Sequence, residues 1–442
     1  MTRPRYRVAA LGAVLALGLA ACGGSSSGGS KSSSSGTTKG NTTGVTATTI
    51  TIGSTQPLTG IAAPGYSEIA PAAKAMFDYI NAQGGVNGRK IIYKYLDDAY
   101  NPTETVTKTQ QLILQDKVFG IFNGLGTPTH LKVVQFLNQQ KVPDVFVASG
   151  CLCWDNVSQY PFTFGWQPDY TVEGKILGNY IKQKFAGQKV AYFYQDDDFG
   201  QNGVKGLDME IPSSQVVSKQ PYQLTNINIQ SQVQKLQSSG AKVVVSFSVP
   251  AFTALLKLNM LKAGYNPTLV VSDVGSDPLT LSGLLEAFAK QGGAKVQGNQ
   301  LIQGIITDGY LPPWGDTGNS WIQLFKKVHD QYDAKAPMDG NVEYGFAVAY
   351  TFAEALAKAG KDVTRENFVK AIEAGLDPGA GLVPFRYSSS SHAGFTGVQV
   401  GVIHGTTIVL QGQPQTTDDG SGGITDYTQT QSQAPANGVP TG

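Results

Sequence analysis

The chain has 442 residues and is almost neutral, with 33 Lys and Arg against 32 Asp and Glu and a formal net charge of +1. It carries no basic block and no basic helix face, which excludes the electrostatic footprint of a nucleic-acid binder. Its length exceeds what one core of ordinary size occupies, so two domains are expected.

Residues 1–21, MTRPRYRVAALGAVLALGLAA, place Arg3, Arg5 and Arg7 before an apolar run free of acids. That run is shorter than a bilayer-spanning helix and has the flanks of a secretory signal. It ends in Leu19-Ala20-Ala21-Cys22, which looks like a lipobox, where cleavage before the cysteine leaves its thiol to carry a lipid. Cys22 is the expected lipidation site, and the protein is expected outside the cytoplasm, anchored to the cell membrane. Loss of residues 1–21 would remove three arginines and no acid, leaving 30 basic against 32 acidic residues. Residues 22–47, rich in Gly, Ser and Thr, cannot bury enough apolar surface to order themselves and read as a flexible tether. No later run is long and apolar enough to cross a membrane.

The body then alternates. Strands are expected at 48–53, 90–96, 118–123 and 142–148. Between them, helices are expected over 69–80, closed by Gly84-Gly85, over 102–116 with Pro102 just inside its start, and over 129–139. After 162–165 the rhythm restarts, with strands at 189–194, 241–249, 269–272 and 301–307 and helices at 172–185, 229–236, 251–263 and 279–289. Three helical patterns (321–332, 342–359, 365–374) and two strand-like runs (397–403, 406–410) close the body. The fold class is therefore α/β, with two doubly wound lobes of mostly parallel sheet. Residues 412–442 are poor in apolar side chains and are expected to be disordered.

No P-loop and no nucleophile elbow appears, and His130, His329, His392 and His404 have no metal-ligand spacing; each reads as an ordinary surface or partly buried residue. No metal site and no cofactor is expected. Gly124-Leu125-Gly126-Thr127-Pro128-Thr129 lacks the third glycine of a dinucleotide fingerprint. Two readings stand for it: a plain βα turn with a capping threonine, or a turn whose N–H groups and Thr127 and Thr129 hydroxyls hold a small anion, at the edge where open α/β sheets bind ligands. Asp196-Asp197-Asp198 fails the calcium-loop pattern at Gly200 and Gln201 and reads as a capping turn. Cys151 and Cys153, in Gly150-Cys151-Leu152-Cys153-Trp154, lack partners for a metal site. A disulfide, favoured by an oxidising compartment, and a pair of reduced thiols remain open.

Several stretches resemble one family. Gln56-Pro57-Leu58-Thr59-Gly60, INAQGGVNGRK (80–90), Asp97-Asp98, Asn101-Pro102, GWQPDY (165–170), YQDDDFG (194–200) and residues 344–360 are similar to Leu/Ile/Val-binding, type I periplasmic solute-binding proteins of ABC importers. The resemblance implies two lobes joined by three hinge strands, near 166–169, 307–310 and 383–386. The lobes would comprise 48–167 plus 308–384, and 168–307 plus 385–411. It implies a small solute in the interlobe cleft, its carboxylate held by Thr127, Thr129, Ser149, Gly150 and Cys151, and its ammonium by Asp273. Tyr66 and Phe199 would supply aromatic cover, and the 150–154 stretch would form a rim of the cleft. Asp273 stands where the family often has Glu, Phe199 where it has a Tyr, and the Cys151-Leu152-Cys153-Trp154 loop where it has small polar residues. These departures make the carboxylate end the firmer half of the expectation.

The function expected is a monomeric, lipid-anchored receptor delivering a carboxylate-bearing solute, an amino acid first of all, to a permease and its ATPase. A tethered sensor of the same fold and a binder of aromatic or aliphatic acids without an amine are the alternatives. A hydrolase would need a nucleophile with a base in reach, and none is found.

Overall fold

The computed structural model describes residues 40–441. The expected signal segment, Cys22 and residues 22–39 of the expected tether lie outside the described residues.

The first lobe is built on β1 (Thr49–Gln56), β2 (Lys90–Asp97), β3 (Ile121–Phe122), β4 (Asp144–Val147) and β5 (Thr163–Gly165). They lie in the order β2-β1-β3-β4-β5, all parallel, with Thr49 opposite Lys90 and Gln56 opposite Asp97. Helices cover both faces, as a parallel sheet requires, and β3 and β4 are buried throughout. The second lobe carries β6 (Val190–Gln195), β7 (Val216–Tyr222), β8 (Val243–Phe247), β9 (Thr268–Val271) and β10 (Ile306–Gly309). β13 (Gly397–His404) pairs antiparallel with β10 at one edge, with Ile306 opposite Val402, and β14 (Thr407–Leu410) pairs with β13.

Helix starts are set by side-chain caps. Asp169 accepts from Thr171 N–H at 2.6 Å, Asp197 from Phe199 N–H at 3.0 Å, Asp277 from Thr280 N–H at 2.8 Å, and Asp339 from Asn341 and Val342 N–H, both at 3.0 Å. The helices Tyr170–Lys184 and Asp198–Glu210 touch backbone to backbone: a Cβ on Gly206 would stand 2.2 Å from the Thr171 carbonyl. This close approach brings their N-termini together, so that the Tyr170 and Phe199 ring centroids are 4.6 Å apart.

The chain passes between the lobes three times. The first passage, 166–169, follows β5, and the second follows β10 at Tyr310. The third differs from expectation. The hairpin β11 (Phe385–Ser388) and β12 (Ser391–Phe395) stays with the first lobe. There Tyr387 donates to the Gly165 carbonyl at 2.7 Å, and His392 stacks on Phe164 at 3.7 Å. The passage therefore falls at 395–397 rather than 383–386, and residues 385–395 belong to the first lobe. Trp166, Tyr310 and Phe395 meet at the junction, with centroids 5.1–5.8 Å apart.

Two further expectations are corrected. His130 and His392 are fully buried. His130 Nε2 lies 2.8 Å from an Asp144 oxygen that holds the turn to β4, because a buried imidazole needs a partner. Residues 412–441 are ordered along both lobes. β15 (Gln415–Thr416) pairs with β13, and the tail's carbonyls accept from side chains of the body: Gly420 and Gly422 from Lys175, Ser432 from Trp321 and Asn437 from Tyr79. Polar backbone, which composition does not register, is what holds it.

Candidate functional site

A cavity of about 200 Å³ lies between the lobes, at the C-terminal ends of the strands. Its walls are aromatic: Tyr66, Tyr100, Tyr170, Phe199, Tyr310 and Tyr344 all face it. Tyr66 on the first lobe donates to the Val274 carbonyl on the second at 2.7 Å. Beside that contact, Gly340 N–H donates to Asp277 at 3.0 Å and Asn341 to Thr280 at 3.2 Å. The lobes are thus closed on one another in this structure.

On the first lobe, Thr127 lines the cavity and its hydroxyl lies 2.6 Å from that of Ser149. Ser149 Oγ also accepts from Cys151 N–H at 3.2 Å. If Ser149 donates to Thr127, the Thr127 proton is free to meet a ligand oxygen in the cavity. Thr129 is not so placed: its hydroxyl turns back to the Leu125 carbonyl at 2.6 Å and the Gly126 carbonyl at 3.1 Å. It closes the turn instead of facing a ligand.

The second lobe presents Asp273, on a short turn after β9. Glu173 accepts from its N–H at 3.0 Å, and Asp308 from β10 lies beside both. Burial pushes the Asp273 carboxyl up to about 6. Burial raises Glu173 and Asp308 well above the carboxylate range too, reinforced by the charge of Asp308 on Glu173 and of Asp273 on Asp308. Asp277, Asp339 and Glu343 complete the acidic lining, and among the described residues the cavity wall includes no Lys, Arg or His. Among the described residues no three His, Cys, Asp or Glu side chains converge closely enough to hold a metal ion.

A family model described as "Periplasmic binding protein" matches residues 49–401. The chain belongs to the periplasmic binding protein family. Leu/Ile/Val-binding protein homolog 7 of Brucella abortus is 26% identical over 236 residues, 51% of this chain and 59% of that protein. The chain thus spans under two thirds of that curated relative. Homolog 8 of the same organism is 21% identical over 74% of this chain and 80% of its own length. Among solved structures, a branched-chain amino acid ABC transporter protein from Thermus thermophilus with bound valine superposes with a TM-score of 0.70 at 19% identity, covering 84% of this chain and 97% of its own. A fatty acid ABC transporter substrate-binding protein from Thermomonospora curvata superposes at 0.71 and 21%, covering 86% and 95%. The type I fold and the likeness to Leu/Ile/Val-binding proteins both stand.

Within that fold, four of the expected site residues line the cavity: Tyr66, Thr127, Phe199 and Asp273. Ser149 stands behind Thr127. Gly150 and Cys151 lie at the lobe contact instead of in the cavity, with the Gly150 carbonyl accepting from Tyr170 N–H at 2.7 Å and Leu152 N–H donating to Asn202 at 3.0 Å. Cys151 and Cys153 are joined as a disulfide, and Cys151 is buried against Val134, Val147 and Trp154. The loop serves as an interlobe contact and not as a rim open to ligand. Sequence reasoning missed Tyr100, Tyr170, Asp308, Tyr310, Asp339 and Glu343. The GWQPDY stretch points at Tyr170, whereas the isolated acids carry no local signal.

Proposed function

We propose that the protein is the extracytoplasmic solute-binding component of an ABC importer, acting by capture and delivery and not by catalysis. Its solute is a small carboxylate that also bears an amine. One observation carries this reading: the interlobe cavity sets a neutral hydroxyl pair, Thr127 and Ser149, on one lobe and the half-buried Asp273 on the other. A hydroxyl end suits a carboxylate and an acidic end suits an ammonium. Aromatic rings between them exclude water and give the solute's carbon frame its contact area. A carboxylate without an amine would enter an acid-lined cavity with no basic side chain in its wall, and its charge would go unanswered. Cys22 as a lipid anchor would hold the receptor beside its permease and raise the local concentration. The lobes would open and close about the Trp166, Tyr310 and Phe395 junction.

The test is thermal unfolding of the purified protein against α-amino acids, their deaminated analogues and medium-chain fatty acids. A solute at a hundred times its Kd adds about 2.7 kcal/mol. Amino acids are expected to raise the Tm and deaminated analogues to leave it unchanged. A shift with amine-free acids alone overturns the role given to Asp273. No shift across the whole panel overturns the reading of the cavity as an amino-acid site.

A further inference from the structure

The cavity holds more acid than one ammonium can answer. Asp273, Glu173 and Asp308 form one group. A second group gathers where the lobes meet: Asp277 from the second lobe, and Glu68, Asp339 and Glu343 from the first. Asp277 accepts from Thr280 N–H on its own lobe and from Gly340 N–H across the cleft. Asp339 is occupied capping the helix Gly340–Ala359. Glu343, one turn further on, differs from both. It is 3% exposed, it lines the cavity, and its Oε1 has no hydrogen-bond partner among the described residues. A buried carboxyl aimed into a cavity without a partner costs stability unless something arrives to meet it.

The same cavity is lined by the apolar side chains of Ile69, Val274, Leu311 and Trp314. Such a wall suits a run of methylenes with a polar group at each end. The acids do not converge as a metal site does, so the complement is an organic cation.

The geometry points to a solute with a second cationic group, an ammonium or guanidinium carried on a short aliphatic chain and seated between Asp277 and the Asp339–Glu343 pair: a basic amino acid. This deepens the proposed solute reading and rests on it. The second cation would bridge carboxyls of both lobes, so its binding energy is available only in the closed form, and closure itself is what such a solute favours.

Calorimetric titration of the protein with lysine, ornithine, arginine and norleucine tests this, because norleucine keeps the carbon chain of lysine and lacks its terminal amine. The basic amino acids are expected to bind about 10- to 100-fold more tightly than norleucine, the range that one charge-assisted hydrogen bond supplies. Glu343→Gln, nearly isosteric, should cut the lysine-to-norleucine ratio about 10-fold or more, and Asp277→Asn, on the other lobe, should cut it independently. Norleucine or leucine binding as tightly as lysine overturns the second site while leaving the amino-acid reading intact. An unchanged ratio in both variants also overturns it. Failure of every amino acid to bind overturns both readings together.

Discussion

Asp339 is held by two requirements that oppose each other. As the cap of a helix it accepts two backbone N–H groups, which favours its ionised form. Burial disfavours that form, as do the charges of Asp277 and Glu68, and the balance lifts the carboxyl from 3.8 to about 9. Asp273 and Asp169 are raised by burial to about 6. A carboxyl whose pKa is higher folded than unfolded makes the native state bind more protons, so its contribution is complete below pH 4 and is lost as pH rises through the folded value. A tenfold difference in proton affinity between the folded and unfolded chain is worth about 1.4 kcal/mol. The Tm of the ligand-free protein is therefore expected to fall as pH rises from 5 to 9, over a range where most proteins hold steady. Asp339→Asn keeps a cap and removes the charge, so it should flatten the fall across about pH 4 to 9, and it acts alone of these three carboxyls above pH 6. Asp273→Asn should flatten the fall between about pH 4 and 6. A Tm that is level or rising across this range in the unsubstituted protein would contradict the assignment, and calorimetric scans in buffers of matched ionic strength measure it.

Between elements, the distance of the helix Tyr170–Lys184 from Asp198–Glu210 decides where Tyr170 and Phe199 meet the cavity. Gly206 permits that distance, since a Cβ there would collide with the Thr171 carbonyl and lie 2.8 Å from Lys175 N. Gly206→Ala is expected to cost about 1–3 kcal/mol in urea unfolding, as overpacking does, and to weaken solute binding by parting the two rings. Gly283, in the helix Pro278–Gln291, has open space around its Cβ direction, and Gly283→Ala should be neutral or stabilising by up to about 1 kcal/mol. If both substitutions behave alike, the close approach is not what matters. The contrast also marks how far the elements could be read from sequence. Alternating strands and helices with clean apolar periods announced both sheets, and Pro102 announced a helix start, which the structure shows to be capped by Asn101. Val216–Tyr222 escaped because it is an edge strand, half-exposed, interrupted by Pro221 and without a continuous apolar run. The site was legible only in part for a related reason. Thr127 and Asp273 sit at strand ends, where position itself signals a ligand edge, but Asp308 reaches Asp273 and Glu173 only through the fold of the second lobe, and Asp339 and Glu343 meet Asp277 only where the two lobes touch.

Across the whole molecule, the tail ties together what the hinge leaves separate. Residues 415–426 lie on the second lobe, where β16 (Thr425–Asp426) pairs with β15 and the Lys175 ammonium, 2% exposed, meets Thr417 Oγ1 and the carbonyls of Asp418, Gly420 and Gly422 at 2.8–2.9 Å. Residues 431–438 lie on the first lobe, where Asn319 donates to Gln431 at 2.8 Å, Trp321 to the Ser432 carbonyl at 2.7 Å and Tyr79 to the Asn437 carbonyl at 2.9 Å. The family match ends at residue 401, so this strap lies outside the matched residues. Its polar composition concealed it, because the contacts use backbone carbonyls, which every sequence has. A lysine so deeply buried is tolerable only with its acceptors in place. Ending the chain at Leu410 removes all of them and is expected to cost roughly 3–5 kcal/mol, the usual penalty for a buried charge left alone. Lys175→Met in the shortened chain should recover much of that loss, because an apolar side chain of similar length needs no acceptor. In the full chain the same substitution would leave the Asp418 and Gly420 carbonyls without their donor and should be destabilising. Urea unfolding of the four combinations gives the coupling between Lys175 and the tail directly. A coupling near zero would mean that the tail is not held by this ammonium, and that the order of residues 412–441 has another source.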